Sequence, residues 1–239
     1  MKKIFLFLLA AVIISGAAIA QKTINDPNAE KRTVGNFHGI EVGTGIELTL
    51  TESATEEVAV SAASAEFRDR IVTKVENGVL KIHYETKTGA VNKEKETKGL
   101  KAYVSYKTLD KLNANTGAEV NIMGVLKSSG LDMNANTGAL INGEVNITAL
   151  KVDQNTGSKI TLTGKAEKLD IEGATGSKFM GEDMVTVNCN VKVNTGSRAS
   201  VNAGKELQVK ASTGGNVKYK GDAAIREIKT NTGGSVSKI

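Results

Sequence analysis

The residues best suited to chemistry are carboxylates repeated at a fixed interval. Asp132, Lys151 and Asp170 follow one another at 19 residues, and so do Asn134, Asp153 and Glu172 two positions further on. If each interval is one turn of a stacked coil, these side chains meet on an outer wall, four carboxylates around one lysine. Exposed carboxylates can bind Ca²⁺, a hard cation that prefers oxygen ligands, and polysaccharide lyases built on β-helices use sites of roughly that kind. The same order of acid, base and acid is also what an exposed ladder needs to keep like charges from lying opposite one another, and we prefer that structural reading. Asp132, Lys151, Asp153, Asp170 and Glu172 are therefore candidate binding residues, with no catalytic and no metal-ligating role assigned. Lys192, Lys210 and Lys229 occupy the later part of the same face, which turns from acidic to basic along its length. Such a dipolar wall could orient a partner.

Other chemistries find little support. His38 and His83 are the only histidines, and neither lies near Cys189, the single cysteine, so a Cys-His nucleophile is not indicated. Cys189 falls in an otherwise leucine-rich column and reads as a small buried hydrophobe, because apolar burial suppresses the thiolate. It also has no partner for an internal disulfide. No zinc-ligand spacing and no P-loop occur, and no cofactor is expected. The chain has no Trp, so Tyr84, Tyr103, Tyr106 and Tyr219 are the tyrosines available to stack on sugar rings, and Tyr106 or Tyr219 can equally pack along a strand. Bases are scattered among nearly as many acids, which argues against a nucleic-acid groove.

The element that must position these residues is a repeat. Thr-Gly followed by a small residue occurs seven times between Thr116 and Gly233, at intervals of 21, 19, 19, 20, 18 and 19, usually after Asn. A fixed period of this length is the mark of stacked coils, each copy placing the same turn over the last. Four residues before each Thr stand Leu112, Met133, Val152, Ile171, Val191, Val209 and Ile228, and four after it Val120, Ile141, Ile160, Phe179, Ala199, Val217 and Val236. Six before it the column reads Leu131, Leu150, Leu169, Cys189 and Leu207, while Leu109 and Ile225 stand one residue earlier in the first and last copies. Period-two alternation on both sides of a fixed turn predicts two strands per coil, each with one face buried. Corresponding residues then stack about 4.8 Å apart in a parallel β-solenoid.

At the turn, the glycines are expected to take positive φ or to allow close backbone approach. Asn115, Asn136, Asn155, Asn194 and Asn231 are expected to form a ladder of side-chain amides from coil to coil. Residues 33–108 do not share the register, although Thr44-Gly45 resembles the repeat turn. Asn77-Gly78 between two alternating runs predicts a type I′ hairpin, and Ala65–Asp69 a short helical turn. This half reads as a strand-rich cap covering the solenoid's exposed N-terminal end. Residues 86–99, rich in Lys, Glu and Thr, read as a solvated loop.

The first 20 residues have the form of a secretory signal peptide: Lys2 and Lys3, an apolar run from Ile4 to Ile14, then Ala18-Ile19-Ala20 before Gln21. The run is too short for a membrane span, and no transmembrane segment is expected in the mature chain. Removing Lys2 and Lys3 takes the formal net charge from +5 to +3. The expected order is a signal peptide at 1–20, a flexible N-terminus at 21–32, the cap at 33–108 and the repeats at 109–239.

With these residues in place the chain resembles the family described as putative auto-transporter adhesin, head GIN domain, exported proteins of bacterial envelopes. The resemblance rests on Phe37-His38-Gly39-Ile40-Glu41-Val42, on Asn77-Gly78-Val79-Leu80-Lys81-Ile82 and on the repeated Thr-Gly-Ala or Thr-Gly-Ser turns, and covers about residues 36–225. It implies an all-β, right-handed parallel β-helix-like solenoid of about seven coils and no established catalytic residues. The expected protein is a non-catalytic envelope or surface protein, exported by the Sec pathway to the periplasm, the outer membrane or the exterior, and binding a glycan or another protein through its solenoid face. A carbohydrate-active enzyme, a lyase or hydrolase of acidic glycans, is the alternative.

Overall fold

A computed structural model describes residues 26–86 and 98–239. The expected signal peptide and most of the 86–99 loop lie outside the described residues. In chain order the elements are β1 (Glu30–Arg32), β2 (Gly39–Val42), β3 (Glu47–Glu52), β4 (Glu57–Ser61), α1 (Ala65–Arg68), β5 (Ile71–Glu76), β6 (Val79–Tyr84), β7 (Lys101–Tyr106) and β8 (Lys111–Ala114). Then come β9 (Glu119–Ala135), β10 (Leu140–Gln154), β11 (Lys159–Gly173), β12 (Lys178–Val193), β13 (Arg198–Ala211), β14 (Asn216–Lys220), β15 (Ala224–Thr230) and β16 (Ser235–Lys238). The chain is nearly all β and forms a solenoid of about seven turns.

The ladder is parallel and in the register of the repeat. Leu112, Met133, Val152, Ile171, Val191, Val209 and Ile228 pair in succession, as do Val120, Ile141, Ile160, Phe179, Ala199, Val217 and Val236. All but the last member of each column are buried, and one continuous apolar core runs from Phe37 to Val217. The expectation of two separate strands per coil gives way to a single strand of 14 to 17 residues in β9 to β13, running from one corner to the next. Pairing with the coils above and below keeps the strand intact through a bend. At the bend two successive residues are exposed, such as Thr148-Ala149 or Glu167-Lys168, and the inward-facing parity switches. Unequal coil lengths are absorbed by bulges outside the corners, between Asn142 and Glu144 or between Thr161 and Gly164.

Each corner is a two-residue turn in which both residues are left-handed: Thr116 has φ 50° and Gly117 φ 70°, and the other copies match them. The reading from sequence placed positive φ on the glycine alone. A β-branched residue there costs about 1–2 kcal/mol, and hydrogen bonds within and between coils offset it. Ala118 N–H donates to Asn115 O at 3.1 Å, closing the turn, and Gly117 N–H donates to Thr137 O of the next coil at 2.9 Å. The same inter-coil bond recurs from Gly45 to Gly214. Continuity up the corner is therefore carried by backbone, and the expected amide ladder is corrected accordingly. The corner Asn side chains act locally: Asn155 Oδ1 accepts from Thr156 N–H at 2.9 Å, and Asn194 Oδ1 from Thr195 Oγ1 at 3.1 Å. Amide ladders form instead on the walls, where Asn134 Nδ2 donates to Asn113 Oδ1 at 2.8 Å.

The stack begins earlier than residue 109. Strand β2 pairs in parallel with β8 and β3 with β9, and Thr44-Gly45 occupies the corner above Thr116. Sequence reading recognised only the Thr44-Gly45 turn of this coil, because its return to the next one passes through residues 53–108 instead of 19 residues. That excursion covers the end. Strands β6 and β7 add in parallel to β2 and β3, then β5 and β4 close each sheet antiparallel, and β1 pairs with β4. Asn77 (φ 51°) and Gly78 (φ 74°) form the expected hairpin turn, and α1 begins at Ser64, whose hydroxyl accepts from Phe67 N–H at 3.3 Å. Residues 26–32 belong to this cap and are not a loose tail: Arg32 donates to Glu30 and to Arg68 O, and Tyr103 Oη–H donates to Asp26 at 2.8 Å.

Candidate functional site

Two adjacent outward columns carry the charged wall. One reads Lys111, Asp132, Lys151, Asp170, Asn190, Gln208 and Glu227, and the other Asn113, Asn134, Asp153, Glu172, Lys192, Lys210 and Lys229. Their side chains point away from the core because the intervening residues are the buried Leu, Val and Ile of the column four before each Thr.

Several of these charges are paired along and across the coils. Lys151 Nζ lies 3.1 Å from Asp153, Lys168 Nζ 2.9 Å from Asp170, and Lys192 Nζ 2.8 Å from Glu172. Asn190 Nδ2 donates to the second oxygen of Asp170 at 3.2 Å. The hydrogen bond from Lys192 holds the Glu172 carboxyl below its ordinary range, and the bond to Asp153 raises the Lys151 ammonium above its own. A carboxylate held as an ion is poorly suited to giving up a proton. Cys189 is buried, and desolvation pushes its thiol up to about 12. Among the described residues no group of three or more His, Cys, Asp or Glu is arranged to hold a metal ion.

An open groove of about 450 Å³ runs along the first column, between Asp110, Lys111, Asp132, Lys151 and Asp170. It exists because Gly130 and Ala149 stand where the next three coils carry Lys168, Asn188 and Glu206. Of the five candidate residues, Asp132, Lys151 and Asp170 line this groove, while Asp153 and Glu172 stand one column aside. Sequence reasoning missed Asp110, Lys111 and His38. His38 Nδ1 lies 2.7 Å from Asp110 Oδ1, beside the groove. Its backbone is tied in by His38 N–H to Gly78 O at 2.9 Å and by Asp110 N–H to His38 O at 3.0 Å. The signal was present as small residues in the column seven before Thr, but His38 reaches it only through the early coil. Of the tyrosines, Tyr84 and Tyr106 are buried and closed to a sugar ring, and Arg70 and Lys98 cover the Tyr84 face at 4.6 and 4.8 Å.

At the far end of the wall, Glu227 is held by Lys229, by Gln208 Nε2 at 2.7 Å and by Lys210 at 3.7 Å, which brings its carboxyl from 4.5 down to about 2. A carboxyl with a depressed native pKa stabilises fully above its unfolded value and loses that contribution as pH falls through the native one, here from about 4.5 to about 2. Over that window the melting temperature of the parent falls more steeply than that of Glu227→Gln. The difference shrinks in about 1 M salt because the side chain faces solvent. Parallel pH profiles would show that the pairing adds nothing.

Stacked coils with a strand-covered N-terminal end and charged outer walls define a β-solenoid. The chain belongs to the family described as putative auto-transporter adhesin, head GIN domain, whose profile matches residues 36–223. Among solved structures it is similar to a putative adhesin from Bacteroides fragilis NCTC 9343, with a TM-score of 0.74 and 18% identity over 88% of this chain and 95% of that one. A putative adhesin from Parabacteroides merdae ATCC 43184 gives 0.67 and 20% over 88% and 95%. A putative lipid binding protein from Parabacteroides distasonis ATCC 8503 gives 0.66 and 18% over 90% and 98%. Comparison with curated proteins gives no significant match. Among the described residues no helix is long and apolar enough to cross a membrane.

Proposed function

We propose that this is a non-catalytic binding protein of the bacterial envelope, exported by the Sec pathway, that holds an envelope glycan or protein along the groove of its charged wall. One observation carries this reading: the groove between Asp110, Lys111, Asp132, Lys151 and Asp170 is open along its length and presents both signs of charge. An elongated ligand bearing hydroxyls or mixed charges fits such a trough. The second reading is a carbohydrate-active enzyme. The His38–Asp110 pair favours it, because a carboxylate behind an imidazole can orient a general base.

A glycan array run beside a lyase and hydrolase assay on acidic polysaccharides separates the two. We expect retention of a subset of glycans without product, and a loss of about tenfold or more in affinity for Asp132→Lys/Asp170→Lys, measured below the temperature at which that variant melts. Product formation abolished by His38→Ala or Asp170→Asn would replace binding by catalysis. Undiminished binding by the charge-reversed variant would move the site off this wall.

A further inference from the structure

We infer that the C-terminal end of the solenoid is a self-association surface, on which a second copy of the chain pairs antiparallel across a two-fold axis at Ile228. The two ends of the stack are treated differently. Antiparallel strands β1, β4 and β5 cover the N-terminal end, whereas β15 and β16 are each paired on one side only among the described residues. The core columns therefore surface there. Ile225 and Ile228 are 48% and 40% exposed, while Leu207 and Val209, one coil earlier in the same columns, are 0%.

The free edge is self-complementary. Asn231 N–H donates to Ala211 O of β13 at 2.9 Å, which turns the backbone of residue 231 inward to the stack. Strand alternation turns residue 229 the same way and leaves the N–H and C=O of Ile228 and Thr230 facing the open edge. Antiparallel pairing of two copies centred on Ile228 lets both residues exchange their N–H···O bonds and joins the two apolar columns end to end. The same register sets Glu227 opposite the other copy's Lys229, and Lys229 opposite its Glu227, so the ion pair that each chain makes within its own strand joins its symmetry mate in a square of alternating charge on the outer face. A shift by one residue would set Ile228 against a charged neighbour, so the charges and the apolar column select one register.

Sedimentation of the purified protein over a range of concentrations tests this. We expect the mass to rise from one chain to two and then level off. Glu227→Lys and Lys229→Glu should each raise the concentration at half-association by about tenfold, since each sets like charges opposite twice. The double swap restores the pairs and should bring it back toward the parent. Mild oxidation of Ile228→Cys should give a covalent dimer, because a hydrogen-bonded antiparallel pair lies within disulfide reach, while the parent, with Cys189 buried, gives none. Thermal melts confirm that each variant is folded. A single-chain mass up to about 1 mM, growth without a plateau as in head-to-tail stacking, or a double swap that recovers nothing would each overturn the inference.

Discussion

Gly164→Ala lowers the melting temperature by about 6–12 °C, whereas Gly157→Ala, seven residues earlier, lowers it by only a few degrees. Both glycines have positive φ, 96° at Gly164 and 71° at Gly157, so loss of backbone freedom is common to the two. Their surroundings differ. A Cβ at Gly157 meets nothing within 4 Å, and the preceding Thr156 already sits at φ 47°. A Cβ at Gly164 would run into the carbonyl oxygen of Val145 in the preceding coil and lie 3.1 Å from Val145 N. Strained φ and overpacking against fixed backbone each cost about 1–3 kcal/mol. A total of about 3 kcal/mol converts to that shift for a chain of this size. Equal shifts for the two variants would mean that the ladder at Gly164 yields freely, and that the glycine marks no close approach between coils.

That contrast also shows what a sequence of this kind makes legible. The corner glycines, the apolar columns and the charged columns are periodic, and a period can be read directly because every copy answers to the same steric environment. Asp132, Lys151 and Asp170 fell into one ladder for that reason. Gly164 stands eight residues after its corner Thr, where Gly124 and Gly221 also take positive φ, but Val145, Asp183 and Ala203 interrupt that column, and the pairing shifts by a bulge between Thr161 and Gly164. His38 and Asp110 were invisible for a similar reason, since they meet only because residues 39–52 form a coil whose return runs through an excursion far longer than the repeat. The amide ladder expected at the corners failed on a local competition. A left-handed Thr leaves the preceding Asn side chain closer to its own turn than to the next coil, so the amide bonds there and the vertical bonds fall to the backbone.

Phe179→Ala destabilises the solenoid by about 3–5 kcal/mol, or roughly 6–20 °C in melting temperature. Phe179 is the one aromatic in a column otherwise built of Val, Ile and Ala, and it is 1% exposed. Its ring is accommodated by small neighbours: Ala199 lies in the next coil, and Gly181 stands two residues along the same strand, where a Cβ would fall 2.5 Å from the ring. The equivalent inward positions in the flanking coils hold Leu162 and Val201, so the strand geometry there admits a branched side chain once the ring is gone. Gly181→Val should therefore destabilise the parent, by about 1–3 kcal/mol through overpacking, yet stabilise the Phe179→Ala protein by refilling the space. The double-mutant cycle should return a coupling of about 2–3 kcal/mol with that change of sign. Additive effects would show that the large and small residues at 179 and 181 are independent, and that the interior is filled by each coil separately instead of by shape matching within and between coils.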